Sequence, residues 1–355
     1  MDRKNEIAAK HEQVRQLLHK RSAQTLWLRR TRNIAWFTAG ADASIPIDSE
    51  VGAYSVMITP ERRVIVTNNI EGPRLRAEED FGALGFEFAE SQWYEEQPPQ
   101  MSAVITDDEV EADLQNLRVV LSVGEQVRLR ALGHDAAAAL EEVARAIEPG
   151  DTEWQIGARL AAACRARGGA AVVNLIATDE RIQRYRHPTM TDKPLRETAM
   201  IVVCMRRGGL IVSATRIVHF GKLPDALHEK LHKVAYIDAA AMVASRPGRT
   251  LGAAFADIQA AYAAEGETTQ WQFHHQGGLA GYQARERVAT PGDPTLIQVG
   301  NAMAWNPSIV GCKSEDTILV GEDGFEIVSH ASSSWPVVEV DYGGQIVARP
   351  GILER

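Results

Sequence analysis

Three histidines offer the acid–base chemistry that this sequence could perform. His187 lies in a proline-containing segment, and the adjacent pair His274-His275 precedes Gln276 and two glycines that predict a sharp turn. The unperturbed pKa of histidine is close to neutral pH, so an imidazole can accept and return a proton during one reaction. Neighbouring residues of a strand point to opposite faces. We therefore expect His275 to be the direct site residue of the pair, with His274 bonded to the backbone.

A second group of polar residues follows the histidine pair. Tyr282 could donate to a carbonyl oxygen or oxyanion, and Arg285 could clamp a carboxylate with two hydrogen bonds. The amide of Asn306 could orient a substrate, and Lys313 could neutralise the carboxylate of Glu315. The alternative interpretations are a solvated arginine and an ordinary strand-edge lysine.

The three cysteines give weaker evidence for a functional site than the histidines do. Cys164, Cys204 and Cys312 are far apart and lack CxxC spacing, so they predict neither a disulfide framework nor a structural zinc site. Cys204 could be a thiolate nucleophile or a metal ligand, although a cysteine in a strand is usually an inert small hydrophobic residue. The sequence has no G-x-S-x-G, phosphate-loop, H-E-x-x-H or G-x-G-x-x-G motif.

The elements that must position these residues change in character along the chain. Up to about residue 125, helical pattern alternates with short strands, such as 54–58 and 64–67. The pattern turns helical from about Gly133, and Thr152 with Gln155 has the spacing of a capping box. Two more amphipathic helices are predicted from apolar stripes at Leu227, Leu231 and Val234, and at Leu251, Phe255, Ile258 and Tyr262.

Length and composition limit the class of protein. A chain of 355 residues, 45% of them hydrophobic, exceeds the usual size of one domain and predicts two. The net charge of −9, without basic clusters, argues against nucleic acid or an anionic membrane as a partner. There is no run of about 18 apolar residues, and the first residues lack the apolar core of a signal peptide. We therefore expect a cytoplasmic protein.

The carboxyl-terminal half resembles the catalytic domain of the prolidase, aminopeptidase P and creatinase family, which is M24 peptidase-like and has the pita-bread fold. The resemblance rests on the hairpin that ends at Thr215-Arg216, on His275, on Asn306-Pro307 and on segment 313–317, with further matches at 186–195 and 32–40. It implies an α/β (α+β) fold. A small amino-terminal α/β domain over 1–125 would precede a pita-bread domain over 126–355, with a curved antiparallel sheet flanked by helices, and two chains would form a homodimer.

The resemblance also implies a site for two metal ions, held by two Asp, one His and two Glu. His275 and Glu315 match the family His and the last Glu. The remaining positions carry residues that supply no carboxylate: Asn306, Ser213 and either Cys204 or Val202. Two divalent cations need several anionic oxygens. We therefore expect that the usual dinuclear manganese or cobalt centre is not formed.

Functional roles follow from the same resemblance. His187 occupies the position of a histidine beside the substrate, which in creatinase is the general acid/base, and Tyr282 stands where the family usually has a second substrate-side histidine. The expected catalytic residues are thus His187, His275 and Glu315. The expected substrate-binding residues are Tyr282, Arg285, Asn306 and Lys313.

Three functions are compatible with these residues. The first is a metal-independent hydrolase of a C–N bond, amide or amidino, in a small polar or dipeptide-like substrate. The second is a non-catalytic binding or regulatory protein that keeps the pocket. The third is an Xaa-Pro peptidase with a single divalent metal such as zinc on Cys204, His275 and Glu315. We favour the first, which requires no cofactor.

Overall fold

A computed structural model of the chain describes residues 2–95 and 100–355. These residues divide into two units. The first comprises Met1–Glu125 with Gly208–Leu210, and the second comprises Gln126–Arg207 with Ile211–Arg355. Within the described ranges, no helix is long and apolar enough to cross a membrane.

The first unit is a five-stranded mixed sheet with helices, and the two strands predicted over 54–58 and 64–67 are confirmed as parts of β2 and β3. The strand order is β4-β3-β2-β1-β5, in which the β3–β4 and β1–β5 pairs are parallel and the others antiparallel. Its elements are α1 (Arg3–Arg21), β1 (Thr25–Arg30), α2 (Thr31–Phe37), β2 (Val51–Ile58), β3 (Arg63–Asn68), α3 (Gly72–Glu78), β4 (Glu87–Ser91), β5 (Val104–Thr106) and α4 (Glu111–Arg118).

Helix α5 (Val123–Ala146) follows and starts about ten residues before the predicted helical segment. The reason is a capping box formed by Ser122 and Glu125, which an apolar pattern does not indicate. Ser122 Oγ accepts from the backbone N–H of Glu125 at 3.2 Å, and Glu125 Oε2 accepts from the backbone N–H of Ser122 at 2.7 Å. The capping box predicted at Thr152 and Gln155 is confirmed at the start of the next helix.

The second unit contains the remaining elements. They are α6 (Glu153–Ala166), β6 (Ala170–Thr178), α7 (Glu180–Arg184), β7 (Thr198–Arg207), β8 (Leu210–His219), α8 (Asp225–Ala244), α9 (Leu251–Ala264), a 3₁₀ helix (Gln270–Phe273), β9 (Gly277–Ala280), β10 (Arg287–Val288), β11 (Ala302–Trp305), β12 (Ser308–Ile309), β13 (Cys312–Lys313), β14 (Asp316–Val320), β15 (Phe325–Ile327), β16 (Val337–Tyr342), β17 (Gln345–Pro350) and β18 (Ile352–Glu354).

Two sheets of this unit carry the polar residues of interest. One has the order β18-β8-β7-β6, and the other has the order β10-β9-β11-β14-β15 with every pair antiparallel. They meet along β8. The backbone N–H of Ser213 donates to Thr317 Oγ1 at 2.9 Å, and that of Thr215 donates to the carbonyl of Glu315 at 3.1 Å. This junction brings the β7–β8 hairpin next to the strand that follows Glu315.

The predicted fold class is thus confirmed as a mixed α/β structure with helices beside several sheets. Helices α8 and α9 pack against each other, and α8 also packs against β16. Six of the seven residues of the predicted apolar stripes are buried, namely Leu231, Val234, Leu251, Phe255, Ile258 and Tyr262. Leu227, near the start of α8, is half-buried. One pairing was not predicted, namely the parallel addition of β18 to β8.

A buried ion network fixes the start of β14. Arg349 Nη2 lies 2.6 Å from Asp238 Oδ2 and 2.7 Å from Asp316 Oδ2, and Arg216 Nη1 lies 3.2 Å from Asp316 Oδ1. All four side chains are excluded from solvent. A buried ion is strongly unfavourable unless it is paired. The network therefore fixes α8, β8 and β17 relative to Asp316, the residue next to Glu315.

Candidate active site

Three imidazoles converge at one place in the second unit. His187 comes from the loop between α7 and β7, whereas His274 and His275 lie between the 3₁₀ helix and β9. One ring nitrogen of each residue lies within 4.8 Å of those of the other two. His187 is exposed, His274 is buried and His275 is half-buried. The cluster thus extends from the surface into the protein.

The expectation that His274 stays outside the site is wrong. Its ring lies with centroid distances of 4.8 Å from His187 and 4.7 Å from His275. The strand alternation that suggested otherwise does not apply, because β9 begins only at Gly277. Because His274 and His275 lie in the connection between the 3₁₀ helix and β9, both rings can face the same cluster.

The predicted glycine turn after the pair is also corrected, since Gly277 and Gly278 open strand β9. Both have positive φ, 111° and 148°. A Cβ on Gly277 would lie 2.1 Å from the carbonyl oxygen of Ala304, and one on Gly278 would lie 2.1 Å from that of Arg287. These glycines therefore permit β11 and the β10 side to pack closely against β9.

The hydrogen bonds of His274 define a chain of polar groups. His274 Nε2 lies 3.1 Å from His187 Nε2 and 3.4 Å from Asn306 Nδ2, and His274 Nδ1 lies 3.1 Å from Ser308 Oγ. A neutral imidazole donates at one ring nitrogen and accepts at the other. In the tautomer in which His274 Nε2 accepts from His187 Nε2–H, the Nδ1 of His187 keeps a lone pair.

The electrostatic surroundings keep the histidines neutral. Burial, and secondarily Lys313, lower the pKa of His274 to about 2. Burial and Arg285 lower the pKa of His275 to about 4. The pKa of His187 is also lowered, by burial and then by Lys313. Neutral imidazoles can accept a proton or bind a metal ion.

We expect His274 and His275 to stay uncharged in the folded protein at mildly acidic pH. Their folded pKa values lie below the ordinary value of 6.5, so the unfolded chain binds more protons and stability falls as the pH drops below about 6.5. Histidine NMR titration, assigned with His274→Gln and His275→Gln, should show neither ring titrating between about pH 8 and 5. The urea-unfolded protein is the control. A folded-state titration near pH 6.5 for either ring would contradict this expectation.

Glu315 lies at the centre of a second, charged group. Lys313 Nζ lies 2.7 Å from its Oε2, Arg285 Nη2 donates to its Oε1 at 3.0 Å, and Thr215 Oγ1 donates to Oε2 at 2.7 Å. The side chains of Glu315, Lys313 and Arg285 are only 3%, 5% and 11% exposed. Burial alone would raise the pKa of Glu315, but Lys313 and Arg285 outweigh it and lower the pKa to about 2.

The hairpin residues lie beside this group. Arg285 Nη1 donates to Ser213 Oγ at 3.1 Å, and Cys204 Sγ lies 3.2 Å from the same oxygen. Cys204 is therefore the residue opposite Ser213, although Val202 points to the same face of β7. Burial raises the pKa of the Cys204 thiol, so the thiolate needed for nucleophilic attack or metal binding is disfavoured.

The other residues singled out from the sequence differ in their surroundings. Asn306 is buried, and its Oδ1 has no hydrogen-bond partner, nor does the buried Nδ1 of His275. Tyr282 is buried in the β9–β10 connection, and its backbone N–H donates to Glu286 Oε1 at 3.1 Å. Glu286 also accepts from Gln283. A substrate-binding role for Tyr282 stays a prediction.

The residues present do not fit the two-metal centre implied by the resemblance. Glu315 is the one carboxylate at the implied ligand positions, and its two oxygens already accept from Lys313, Arg285 and Thr215. Two divalent ions would have to lie against a buried ammonium and a buried guanidinium, with an amide, a hydroxyl and a thiol at the other positions. Uncompensated charge of this kind is costly in a buried site.

The ligand set proposed for a single metal is corrected as well. Cys204, His275 and Glu315 are not the residues that come together as ligands. Among residues 2–95 and 100–355, the group whose ligand atoms converge is His187, His274 and His275. Imidazole nitrogens suit zinc, copper and nickel.

Comparison with known proteins gives a consistent result. The family model of metallopeptidase family M24 matches residues 128–322, more than half of the chain. No curated protein sequence matches the chain. The prolidase from Pyrococcus horikoshii OT3 superposes with a TM-score of 0.76 at 16% identity, covering 92% of this chain and 99% of that chain.

Two further structures are similar to this chain. The Xaa-Pro dipeptidase from Bacillus anthracis has a TM-score of 0.73 and 17% identity, covering 92% of this chain and 98% of that chain. The X-Pro aminopeptidase from Thermotoga maritima MSB8 has a TM-score of 0.73 and 18% identity, and the match covers 91% of this chain and 98% of that chain. At these identities the likeness shows the fold, and chemistry has to be argued from the site.

Proposed function

Because the chain belongs to metallopeptidase family M24, we propose that it is a hydrolase of a C–N bond, amide or amidino, in a small polar substrate, and that it works without the family's dinuclear metal centre. One observation carries this proposal. Glu315 is bonded to Lys313 at 2.7 Å and to Arg285 at 3.0 Å. Two fixed side-chain cations thus surround the carboxylate that would otherwise bind metal.

His187 is the proposed general acid/base. It is exposed, so substrate and water can reach it, and its lowered pKa keeps it neutral. Its Nδ1 takes a proton from a water molecule whose oxygen forms a bond to the carbonyl or amidino carbon. The same proton then passes to the leaving nitrogen as the C–N bond breaks. The bond from His187 Nε2 to His274 orients the ring for this transfer.

Neighbouring residues supply the positioning. Asn306 Oδ1 and His275 Nδ1 are buried and have no partner, so they are available to a substrate's polar groups. Unsatisfied buried atoms are costly, and a ligand that pairs with them recovers that cost. Glu315 is proposed as a positioning residue, because it holds Lys313 and Arg285 rather than reaching solvent. Tyr282 remains a candidate for substrate binding.

The test is a hydrolysis screen of the full-length protein with and without a metal chelator. The panel contains Xaa-Pro dipeptides, which the names of the similar structures suggest, together with N-acyl amino acids and guanidino compounds. We expect turnover of at least one class, unchanged after chelation and dialysis. His187→Gln supplies a variant control for contaminating activity. Turnover abolished by chelator and restored by metal would contradict metal independence, and no turnover on the panel would favour a non-catalytic binding protein.

A second candidate is a peptidase that uses a single metal ion. The observation in its favour is the convergence of His187, His274 and His275, all with lowered pKa values. Such an ion would supply Lewis-acid chemistry, and the three imidazoles would hold it. Elemental analysis of the purified protein decides between the candidates. About one metal per chain, lost in His274→Gln, would favour this one. A homodimer and a cytoplasmic location stay predictions from the sequence.

A further inference from the structure

The charges around Glu315 do not balance. Lys313 and Arg285 are two cations, and Glu315 is the one carboxylate with which either forms an ion pair in the described part of the chain. The three nearby histidines supply no negative charge. The group therefore carries one surplus positive charge on side chains that are at most 11% exposed. A buried charge without a partner is strongly unfavourable.

Donor atoms for a partner are present. Lys313 Nζ has three N–H groups, and one of them is directed to Glu315. Arg285 Nε is buried and has no hydrogen-bond partner. Nη1 and Nη2 of the same guanidinium are engaged with Ser213 and Glu315. Both cations are held in place by these bonds before any ligand arrives, which lowers the entropy cost of binding.

We propose that Lys313 and Arg285 form a binding site for the carboxylate of a small organic anion, so that an anion binds where relatives of this fold are expected to bind cations. As a statement about the substrate, this rests on the proposed function, and it narrows the substrate class to molecules with a free carboxylate near the C–N bond. A carboxylate accepts charge-assisted hydrogen bonds from both cations and cancels the surplus charge.

An unpartnered acceptor atom nearby limits the class of ligand further. Asn306 Oδ1 is a buried acceptor without a partner, and Asn306 Nδ2 reaches His274. A ligand that pairs with Asn306 Oδ1 as well as with Lys313 and Arg285 therefore needs an N–H or O–H donor besides a carboxylate. N-acyl amino acids, dipeptides and guanidino acids have both groups.

Binding can be tested without turnover by ligand-observed NMR at constant chloride concentration, with acetate and acetamide as a pair of equal size that differs in charge. We expect acetate to bind, and to bind ~10- to 100-fold more weakly to Lys313→Met, which removes one charge-assisted bond. Arg287→Gln is the matched control, because it removes a positive charge from an exposed arginine paired with Asp293. Acetate affinity should be unchanged in that variant.

Several outcomes overturn the proposal. Equal acetate affinity of Lys313→Met and the unaltered protein is one, and equal binding of acetate and acetamide is another. Inorganic phosphate that binds while acetate does not would refute the carboxylate class. If Lys313→Met does not fold, anomalous scattering from bromide-soaked crystals of the unaltered protein replaces it. A bromide ion within reach of Lys313 Nζ and Arg285 is expected, and bromide only at other positions would refute the site.

A kinetic experiment tests the substrate class separately from acetate binding. If hydrolysis is found, substrates with a free carboxylate should have kcat/KM values at least ~10-fold above those of their amides, and Lys313→Met should abolish that preference. If no substrate is hydrolysed but acetate binds at Lys313, the proposed function fails and the anion site stands. Hydrolysis with no preference for the carboxylate would refute the substrate class and leave the hydrolase proposal intact.

Discussion

Replacing Glu315 with glutamine is expected to lower the free energy of unfolding by ~3–5 kcal/mol, the range for breaking a buried ion pair by removing one partner. Lys313 and Arg285 would both remain buried, and among the described residues no other carboxylate forms an ion pair with either. Native-state hydrogen exchange of the peptide covering β14 is the suitable measurement, because it reports on opening of this unit separately from the amino-terminal unit.

The matched control is Glu326→Gln. Glu326 pairs with Arg130 on the surface, where both side chains are about half exposed, so the loss should be ~0–1 kcal/mol. An exchange free energy for Glu315→Gln as small as that of the control would show that the buried group is already balanced by something other than Glu315.

The effect of Glu315→Gln should also depend on pH. The pKa of Glu315 is lowered from 4.5 to about 2 in the folded protein, so its contribution is fully present above the unfolded value and is lost as the pH falls towards the folded one. The difference between the unaltered protein and the variant should therefore shrink between about pH 5 and 2. A difference that stays constant over this range would contradict the assigned pKa direction.

Replacing His187 with alanine is expected to lower kcat by ~10²–10⁴, the usual loss for a general acid/base. The ring is exposed, so the free energy of unfolding should hardly change. His228→Ala is the control, since His228 is an exposed histidine of α8 whose ring pairs with the exposed His232. It should retain full activity.

A second substitution separates proton transfer from positioning. Glutamine at position 187 can still donate to His274 but cannot take a proton at neutral pH. If His187 transfers the proton, His187→Gln should be as inactive as His187→Ala, and the acidic limb of the kcat/KM profile should disappear. Activity retained by the glutamine variant would reduce His187 to a residue that orients His274.

Much of the fold could be predicted from the sequence because the signals are local. The capping box at Thr152 and Gln155, the strands at 54–58 and 64–67, and the apolar stripe from Leu251 to Tyr262 each depend on residues a few positions apart. The late start assigned to α5 has the same origin. The apolar pattern is weak near residue 123, and the helix begins there because Ser122 and Glu125 form a capping box.

The residue types of the site were determined by the sequence alone. Loss of carboxylates at Ser213 and Asn306, beside the retained His275 and Glu315, already argued against two metal ions. Charge and ligand chemistry depend on the side chains themselves, so that inference required no coordinates. The predicted partnership of Lys313 with Glu315 is confirmed at 2.7 Å, because residues two apart in an extended segment share a face.

Only the tertiary structure decided which distant groups meet. Arg285 reaches Glu315 across 30 positions, and His187 reaches His274 across 87. These contacts arise because β8 bonds to Glu315 and Thr317 at the junction of two sheets and because the loop before β7 lies beside the start of β9. Local sequence patterns do not predict contacts between residues so far apart in the chain. The surplus positive charge, which depends on Arg285 and Lys313 sharing one carboxylate, therefore became apparent only in three dimensions.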